Sequence, residues 1–232
     1  NVPRINEREY LKLVNARHPL IDPEKVVPVS FEIGKDYNIM LITGPNTGGK
    51  TVTMKSAGLI TTMALSGLPA PCDETSDIGV FTDIFADIGD EQSIEQNLSS
   101  FSGHLKNIKE ILDSVTKNSL VLLDELGSGT DPIEGAAFAM AVIDYLKNKK
   151  SKVIISTHYS EVKAYGYNQE GVESASMEFN IETLSPTYKL LMGIPGKSNA
   201  LTIASKLGLS QEIIERAQSY ISEEDKKIEK MI

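Results

Sequence analysis

Residues Gly44 to Thr51 have the types and the spacing needed to hold a polyphosphate. They satisfy the pattern G-x-x-x-x-G-K-[ST] in full. The glycines let successive backbone N–H groups point at phosphate oxygens, Lys50 can reach the β- and γ-phosphates, and the Thr51 hydroxyl can ligate Mg²⁺. The motif therefore predicts a site for a nucleoside triphosphate and magnesium. Its predicted binding residues are Gly44, Pro45, Asn46, Thr47, Gly48, Gly49, Lys50 and Thr51.

Two adjacent carboxylates, Asp124 and Glu125, follow the apolar run 120–123. The carboxyl ends of parallel strands meet at one edge of a sheet, so both should lie near the phosphate-binding loop. Asp124 is expected to hold Mg²⁺, directly or through water, and Glu125 to orient and deprotonate the attacking water. An acidic turn after a strand would explain the pair equally well if it stood alone. Combined with the loop, it favours hydrolysis.

A histidine, His158, follows a third apolar run at 153–156. From that position it can donate to the γ-phosphate or position the water, and we interpret it as catalytic together with Glu125 and Lys50. His104 and His18 are interpreted as structural. A polar stretch, 89–103, leads into a helical pattern, where Ser99 or Ser100 either binds an anion or caps the helix.

The elements that must position these residues alternate along the chain. The pattern predicts an α/β fold with a mostly parallel sheet covered by helices on both faces. Predicted strands are 38–43, 78–87, 120–124 and 153–157, and predicted helices are 51–65, 101–115 and 133–147. An irregular strand and loop subregion precedes them at 1–37, and a hairpin at 177–181 and 187–191 follows, with two helices at 198–207 and 210–230.

Composition limits the function classes. With 232 residues and 41% hydrophobic content, the chain can bury an ordinary core, and its single cysteine, Cys72, excludes an internal disulfide. No signal peptide or membrane span is evident, which predicts a cytoplasmic protein. A net charge of −9 argues against nucleic-acid binding by this chain alone. Both ends look like those of a module taken from a longer protein.

The motifs taken together resemble the MutS family of DNA-processing ATPases, whose fold type is that of the ABC-type P-loop NTPases. The resemblance runs across nearly the whole chain and rests on Ala16–Leu20, Ile42–Thr51, Ser99–Phe101, Asp124–Thr130 and Ser156–His158. Within the family, the chain looks like the ATPase domain of the bacterial MutS-two branch. This is judged by Gly89–Ile94, Phe101–His104 and Gly193–Ser198.

This resemblance implies ATP sites shared across a homodimer. Gln92 would lie near Mg²⁺ and the lytic water, Ser99 would approach the partner's γ-phosphate, and residues 129–131 would lie near the interface. The base would sit against Val26 and Val27 on one side and Tyr188 on the other, where repair MutS proteins use aromatic rings. The segment Ser102-Gly-His104 also departs from the transporter-type signature.

The same resemblance implies a division of the chain and a role for its parent. Residues 1–197 would form the ATPase domain and 198–232 a helix-turn-helix that closes the dimer, although its apolar residues would equally suit an internal core. The parent would act on branched or recombining DNA, or on stalled ribosomes, through other domains that include a nuclease.

Three functions remain open on sequence alone. The leading hypothesis is an ATP hydrolase whose cycle opens and closes a homodimer around nucleic acid. The alternative is a nucleotide-gated dimerisation scaffold with negligible hydrolysis, which would not need Glu125. A transporter ATPase subunit is disfavoured by the missing signature.

We expect Lys50→Ala to remove most of the affinity for triphosphate, because it deletes the mobile charge that reaches the β- and γ-phosphates. Equilibrium binding of labelled ATP to the wild-type and variant chains measures this directly. Equal affinity would contradict the assignment of the phosphate-binding loop.

Overall fold

The computed structural model describes residues 1–45, 48–89, 100–196 and 199–221, which form two β-sheets and six helices. The strands are β1 (Arg4–Asn6), β2 (Leu11–Ala16), β3 (Val29–Ile33), β4 (Ile39–Thr43), β5 (Asp77–Gly79), β6 (Asp83–Asp87), β7 (Ser119–Leu123), β8 (Lys152–Ser156), β9 (Val172–Asn180) and β10 (Ser185–Met192). The helices are α1 (Lys50–Leu65), α2 (Ser100–Ser114), α3 (Pro132–Lys149), α4 (Ser160–Tyr167), α5 (Ala200–Lys206) and α6 (Gln211–Tyr220).

The larger sheet has six strands in the order β10-β9-β4-β8-β7-β6. Its strands run parallel except β10, which pairs antiparallel with β9. The smaller sheet has the order β1-β5-β2-β3, in which β1 and β5 are parallel and the other pairs are antiparallel. The mostly parallel sheet predicted from the alternation of elements is therefore present.

Side-chain alternation along the central strands creates two cores. Met40 and Ile42 of β4 face the smaller sheet and α1, whereas Ile39 and Leu41 face the helices on the other side. Every residue of β4, β7 and β8 is buried, as expected for strands covered on both faces. The first core includes Leu11, Leu13, Phe31, Met54, Ile60, Leu120, Leu122 and Ile154, and the second includes Ile108, Ile111, Val121, Leu123, Ile143, Leu146, Val153, Ile155 and Val162.

Parallel pairing brings the carboxyl ends of β4, β6, β7 and β8 to one edge of the sheet. Thr43 at the end of β4 leads into the phosphate-binding loop, and Leu123 at the end of β7 leads into the two carboxylates. Ser156 ends β8 two residues before His158. Residues far apart in the sequence thus meet because their strands end side by side.

One predicted strand is wrong: 78–87 divides into β5 and β6, which belong to different sheets. Backbone hydrogen bonds of Val80 to Asn6 O (2.9 Å) and of Thr82 to Asn118 O (3.0 Å) hold the crossing segment between the two sheets. The buried Phe81 between them extends the apolar pattern, so that it reads as one strand in the sequence.

Other elements differ from the prediction in extent. The short α4 and β1 were not predicted, and the region 1–37 is more regular than expected because β2 and β3 form an antiparallel pair. The hairpin strands β9 and β10 are longer than predicted. The last helix, predicted over 210–230, is observed as α6 and ends at Tyr220, after which Ile221 has extended backbone angles. The rest of that predicted range, 222–230, lies outside the described residues. Within the described residues, no helix combines the length and apolar character needed to cross a bilayer.

The helix α3 starts with a side-chain cap directly after the loop that carries the carboxylates. The Asp131 carboxylate accepts hydrogen bonds from the backbone N–H of Ile133 (3.0 Å) and Glu134 (3.2 Å). These bonds satisfy donors that the first turn of a helix leaves unpaired. The cap fixes where the loop ends and the helix begins.

We expect Asp131→Ala to lower the free energy of unfolding by about 1 kcal/mol, the usual value of such a cap. Asp131→Asn keeps an acceptor at the same position and should lose less. Urea denaturation of both variants beside the wild type measures the difference. The explanation fails if the two variants are equally stable.

Candidate functional site

The phosphate-binding loop folds back on its own lysine. Lys50 begins α1, is 1% exposed, and donates from Nζ to the backbone oxygen of Gly44 at 2.6 Å. Burial lowers the pKa of Lys50, and the nearby charges of Glu125 and Asp124 oppose that change. The loop therefore already brings its cation to the space beside the two carboxylates. Asn46 and Thr47 lie outside the described residues.

The hairpin β9–β10 covers the loop and leaves no room for side chains there. A Cβ on Gly48 would lie 2.9 Å from Met177 Cβ, and one on Gly49 would lie 3.1 Å from Cδ1 of the Tyr188 ring. Gly49 also has φ of +99°, which side chains disfavour. Glycine is thus required at 49 by backbone angle and by space together.

Thr43 fastens the start of the loop to two later segments. Its hydroxyl donates to Ala175 O in β9 (3.0 Å) and accepts from the backbone N–H of Gly196 (2.6 Å). Thr43 is fully buried, so both bonds are shielded from water. The loop is consequently held from β9 and from the segment after β10.

Asp124 has both carboxylate oxygens engaged. Thr51 donates from Oγ1 to Oδ2 at 2.5 Å, and Ser156 donates from Oγ to Oδ1. The backbone N–H of Asp124 donates to Asp87 O at 2.8 Å, which joins the ends of β7 and β6. A hydroxyl and a carboxylate in direct contact at the first turn of α1 are oxygen donors of the kind that Mg²⁺ prefers, with phosphate and water completing its coordination. The predicted pair Thr51 and Asp124 therefore fits a magnesium site.

Glu125 adopts a backbone conformation that glutamate rarely takes. Its φ is +49°, in the left-handed region, which costs on the order of 1 kcal/mol for such a residue. The backbone N–H of Glu125 donates to Ser156 Oγ (2.8 Å), and its carbonyl accepts from the backbone N–H of Ser128 (2.9 Å). The chain thus leaves its extended course at the half-buried Glu125, and strain of this kind is common at functional sites.

His158 lies on the same edge of the sheet and shares its electrostatic environment with Glu125. Desolvation by the surrounding protein lowers the pKa of His158, the positive charges of Lys50 and Lys163 act in the same direction, and Glu125 acts against them. The ring is tilted against Tyr159 at a centroid distance of 4.4 Å. These contributions together favour the neutral form of the His158 imidazole, whose side chain is exposed. The structure brings together Lys50, Thr51, Asp124, Glu125 and His158.

A cavity of about 380 Å³ lies beside the first turns of α1, next to the phosphate-binding loop. Val26, Val27 and Tyr188, the three residues predicted to contact a base, all line it. Tyr188 has φ of +59° and lies where the register of the β9–β10 pair shifts, so a bulge turns its ring towards Gly49. The remaining lining residues are His18, Ile21, Lys25, Val29, Gly49, Val52, Thr53 and Ser56.

Sequence reasoning missed His18 as a member of this cavity. Its Nδ1 accepts from the backbone N–H of Leu20 at 3.3 Å, which assigns the proton of the neutral ring to Nε2. Desolvation, assisted by Lys55, lowers the pKa of His18. The available signal was its position eight residues before Val26 in one loop region. By contrast His104, interpreted as structural, contacts Asp87 (Nδ1 to Oδ2, 2.8 Å) and joins α2 to β6.

Two predicted contacts, Gln92 and Ser99, lie outside the described residues. The backbone of Ser100 begins α2, directly after the second of them. The roles given to Gln92 near magnesium and to Ser99 at a partner's nucleotide stay predictions.

Residues 40–224 match the family model described as MutS domain V, which covers most of the chain. The chain belongs to the MutS domain V family. The matched range includes the phosphate-binding loop, both carboxylates and His158, while His18, Val26 and Val27 precede it.

Individual relatives of this MutS domain V chain are proteins named "Endonuclease MutS2". The chain is 71% identical over 231 residues to that of Fusobacterium nucleatum, 57% over 230 residues to that of Caldanaerobacter subterraneus, and 58% over 230 residues to that of a Geobacillus species. Each alignment covers 99% or more of this chain but only 29–30% of the relative. The chain thus spans about 30% of the length of these relatives.

We expect Tyr188→Ala to weaken ATP binding about tenfold, which corresponds to 1.4 kcal/mol of lost ring contact with the base. Binding of inorganic tripolyphosphate should change little, because that ligand has no base to fill the cavity. Tyr167→Ala removes a similarly exposed ring at the end of α4 and serves as the control. Titration calorimetry with both ligands measures the effect. Equal losses for ATP and tripolyphosphate would contradict the assignment of this cavity to the base.

Proposed function

We propose that this MutS domain V chain binds ATP with magnesium and hydrolyses it to ADP and phosphate. The observation that carries the proposal is the contact of Thr51 Oγ1 with Asp124 Oδ2 (2.5 Å), beside a buried Lys50 and a strained Glu125. A hydroxyl, a carboxylate, a lysine and a second carboxylate in one place are the parts that phosphoryl transfer to water requires.

Binding would use two adjoining regions. Backbone N–H groups of the loop and Lys50 would hold the phosphates, and the cavity lined by Val26, Val27, Tyr188 and His18 would hold the base. The cavity borders Gly49, so a base there and phosphates in the loop can belong to one molecule. Its mostly apolar walls suit a nucleobase face.

The metal would be held by Thr51 and Asp124, with Gln92 as a further proposed neighbour. Bound there, Mg²⁺ would neutralise charge on the β- and γ-phosphate oxygens. The chain's own contribution is to keep the Asp124 carboxylate in place through its hydrogen bonds. These bonds orient both carboxylate oxygens, which limits the reorganisation needed on binding.

Hydrolysis would proceed by direct attack of water on the γ-phosphorus. Glu125 accepts a proton from the attacking water as the new P–O bond forms, and the bond to the β–γ bridging oxygen breaks, so that ADP leaves. His158, whose pKa is lowered by desolvation, would donate an N–H to the γ-phosphate or to the water. Lys50 balances the negative charge that the transferred group spreads over its oxygens.

The active form is proposed to be a homodimer with shared sites. Ser99 would approach the partner's γ-phosphate, and the helices α5 and α6 would contact the partner. Leu207, Leu209 and Ile213 are 71%, 49% and 54% exposed, which leaves apolar surface on this helix pair within the described chain. The relatives' name attaches nuclease activity to those proteins. DNA or ribosome binding, at a cytoplasmic location, would use parts of a parent beyond this acidic chain.

We expect Glu125→Gln to lower kcat by a factor of 100 or more while ATP binds with unchanged affinity, because the variant lacks the proton acceptor but keeps its size. Glu134→Gln, in the exposed first turn of α3, is the matched control. Phosphate release is followed at saturating ATP and Mg²⁺. Wild-type turnover in Glu125→Gln would refute its role as the base.

Specific activity should also rise as protein concentration crosses the micromolar range, since dilution separates weakly associated chains. If the chain is monomeric across this range, a flat, measurable rate would contradict the proposed shared sites. No hydrolysis at any concentration would refute the proposed hydrolysis and favour a nucleotide-gated scaffold.

A further inference from the structure

We propose that the Ser156 hydroxyl is a positioning group that sets both carboxylates of the site, Asp124 and Glu125, at once. The inference rests on the proposed function, because it assigns Ser156 a part in metal binding and hydrolysis. In the sequence, Ser156 belongs to the segment Ser156–His158 that carries the family resemblance, but only His158 of that segment is predicted to have a role.

The bonding of Ser156 is the first observation. Its hydroxyl donates to Asp124 Oδ1 and accepts from the backbone N–H of Glu125 at 2.8 Å. One side-chain oxygen thus bonds to two consecutive residues, of which one is proposed to bind the metal and the other to accept a proton. The Asp124 bond orients a carboxylate, whereas the Glu125 bond orients a backbone segment.

The rigidity of Ser156 is the second observation. It is the last residue of β8, pairs with Ile42 of β4, and is completely buried. Its carbonyl oxygen accepts from the backbone N–H of Leu126 at 3.2 Å, just beyond the carboxylates. A short, buried side chain on a central strand has little conformational freedom, so its hydrogen bonds fix the bonded residues relative to β8.

The neighbours of Ser156 in β8 are the third observation. Val153, Ile154 and Ile155 are buried and apolar, so a hydroxyl is an exception on this strand. A buried hydroxyl destabilises the fold unless it is hydrogen-bonded, and this one uses both its donor and an acceptor on the residues of the site. An apolar residue of similar size would suit the core equally well but would leave Asp124 Oδ1 without this donor.

Together these contacts give the two carboxylate oxygens of Asp124 different hydrogen-bond partners. Ser156 holds Oδ1, so Oδ2 is turned towards Thr51 and the proposed magnesium position. The bond to the Glu125 N–H supports the left-handed backbone conformation of the residue that carries the second carboxylate. Loss of the hydroxyl would therefore disturb metal binding and proton acceptance, while the phosphate-binding loop and base cavity remain intact.

The test compares Ser156→Ala with Ser156→Thr, which keeps a hydroxyl, and with Ser119→Ala. Ser119 is also fully buried, on neighbouring β7, but lies at its opposite end from the carboxylates. We expect Ser156→Ala to lower kcat and to weaken Mn²⁺ binding in the presence of a non-hydrolysable ATP analogue, each by about 10- to 100-fold. ATP binding in EDTA should stay within about twofold, Ser156→Thr should recover most of both losses, and Ser119→Ala should resemble the wild type.

A second readout requires no nucleotide. Hydrogen exchange at the Glu125 amide should be faster in Ser156→Ala than in the wild type, because its acceptor is gone. Unchanged Mn²⁺ binding, or an unchanged Glu125 exchange rate, in a folded Ser156→Ala would overturn the inference. If Ser156→Ala fails to fold, Ser156→Thr decides: wild-type Mn²⁺ binding and turnover support the inference, and losses despite a retained hydroxyl overturn it. A wild-type chain that does not hydrolyse ATP would refute the proposed function, while Mn²⁺ binding and amide exchange would still decide the role of Ser156.

Discussion

A sheet that is buried on both faces can expose polar chemistry only where its strands end. The strands β4, β7 and β8 have no exposed residue, since α1 and the smaller sheet cover one face and α2 to α4 cover the other. Parallel pairing then collects the carboxyl ends of these strands at a single edge. The polar side chains of the site are neighbours because the strands that carry them all end at this edge. They are the lysine, the hydroxyls, the carboxylates and the histidine.

The site is also held from outside that edge. The hairpin β9–β10 supplies Met177 and Tyr188 against the glycines of the loop, and Thr43 bonds to Ala175 in the same hairpin. The same hairpin therefore confines the phosphate-binding loop and builds one wall of the cavity proposed for the base. A change in the position of the hairpin would alter both regions together, so the proposed recognition of the base would be linked to the geometry of the loop.

The sequence predicts the parts of this arrangement that depend on the order of elements. A glycine-rich loop after one apolar run and two carboxylates after another must meet if the runs are parallel strands, and Lys50, Thr51, Asp124 and Glu125 do meet. The sequence does not show which side of a loop faces a cavity, so His18 was interpreted as structural although it lines the cavity. It also cannot show that the apolar pattern of 78–87 crosses between two sheets, or that Ser156 rather than another serine faces Asp124. The short, polar helix α4 carries too few apolar positions for a periodicity to appear.

The bond from the backbone N–H of Gly196 to Thr43 Oγ1 has a consequence for the helices that follow. Gly196 is fixed at the entrance to the phosphate-binding loop, and four residue steps lead from it to Ala200, where α5 begins. A fully extended chain covers at most about 14 Å in four steps. The first residue of α5 therefore lies within about 14 Å of Gly196, beside the phosphate-binding loop of its own chain. A surface that contacts Ala200 must therefore approach the segment that bonds to Thr43 at the start of the phosphate-binding loop.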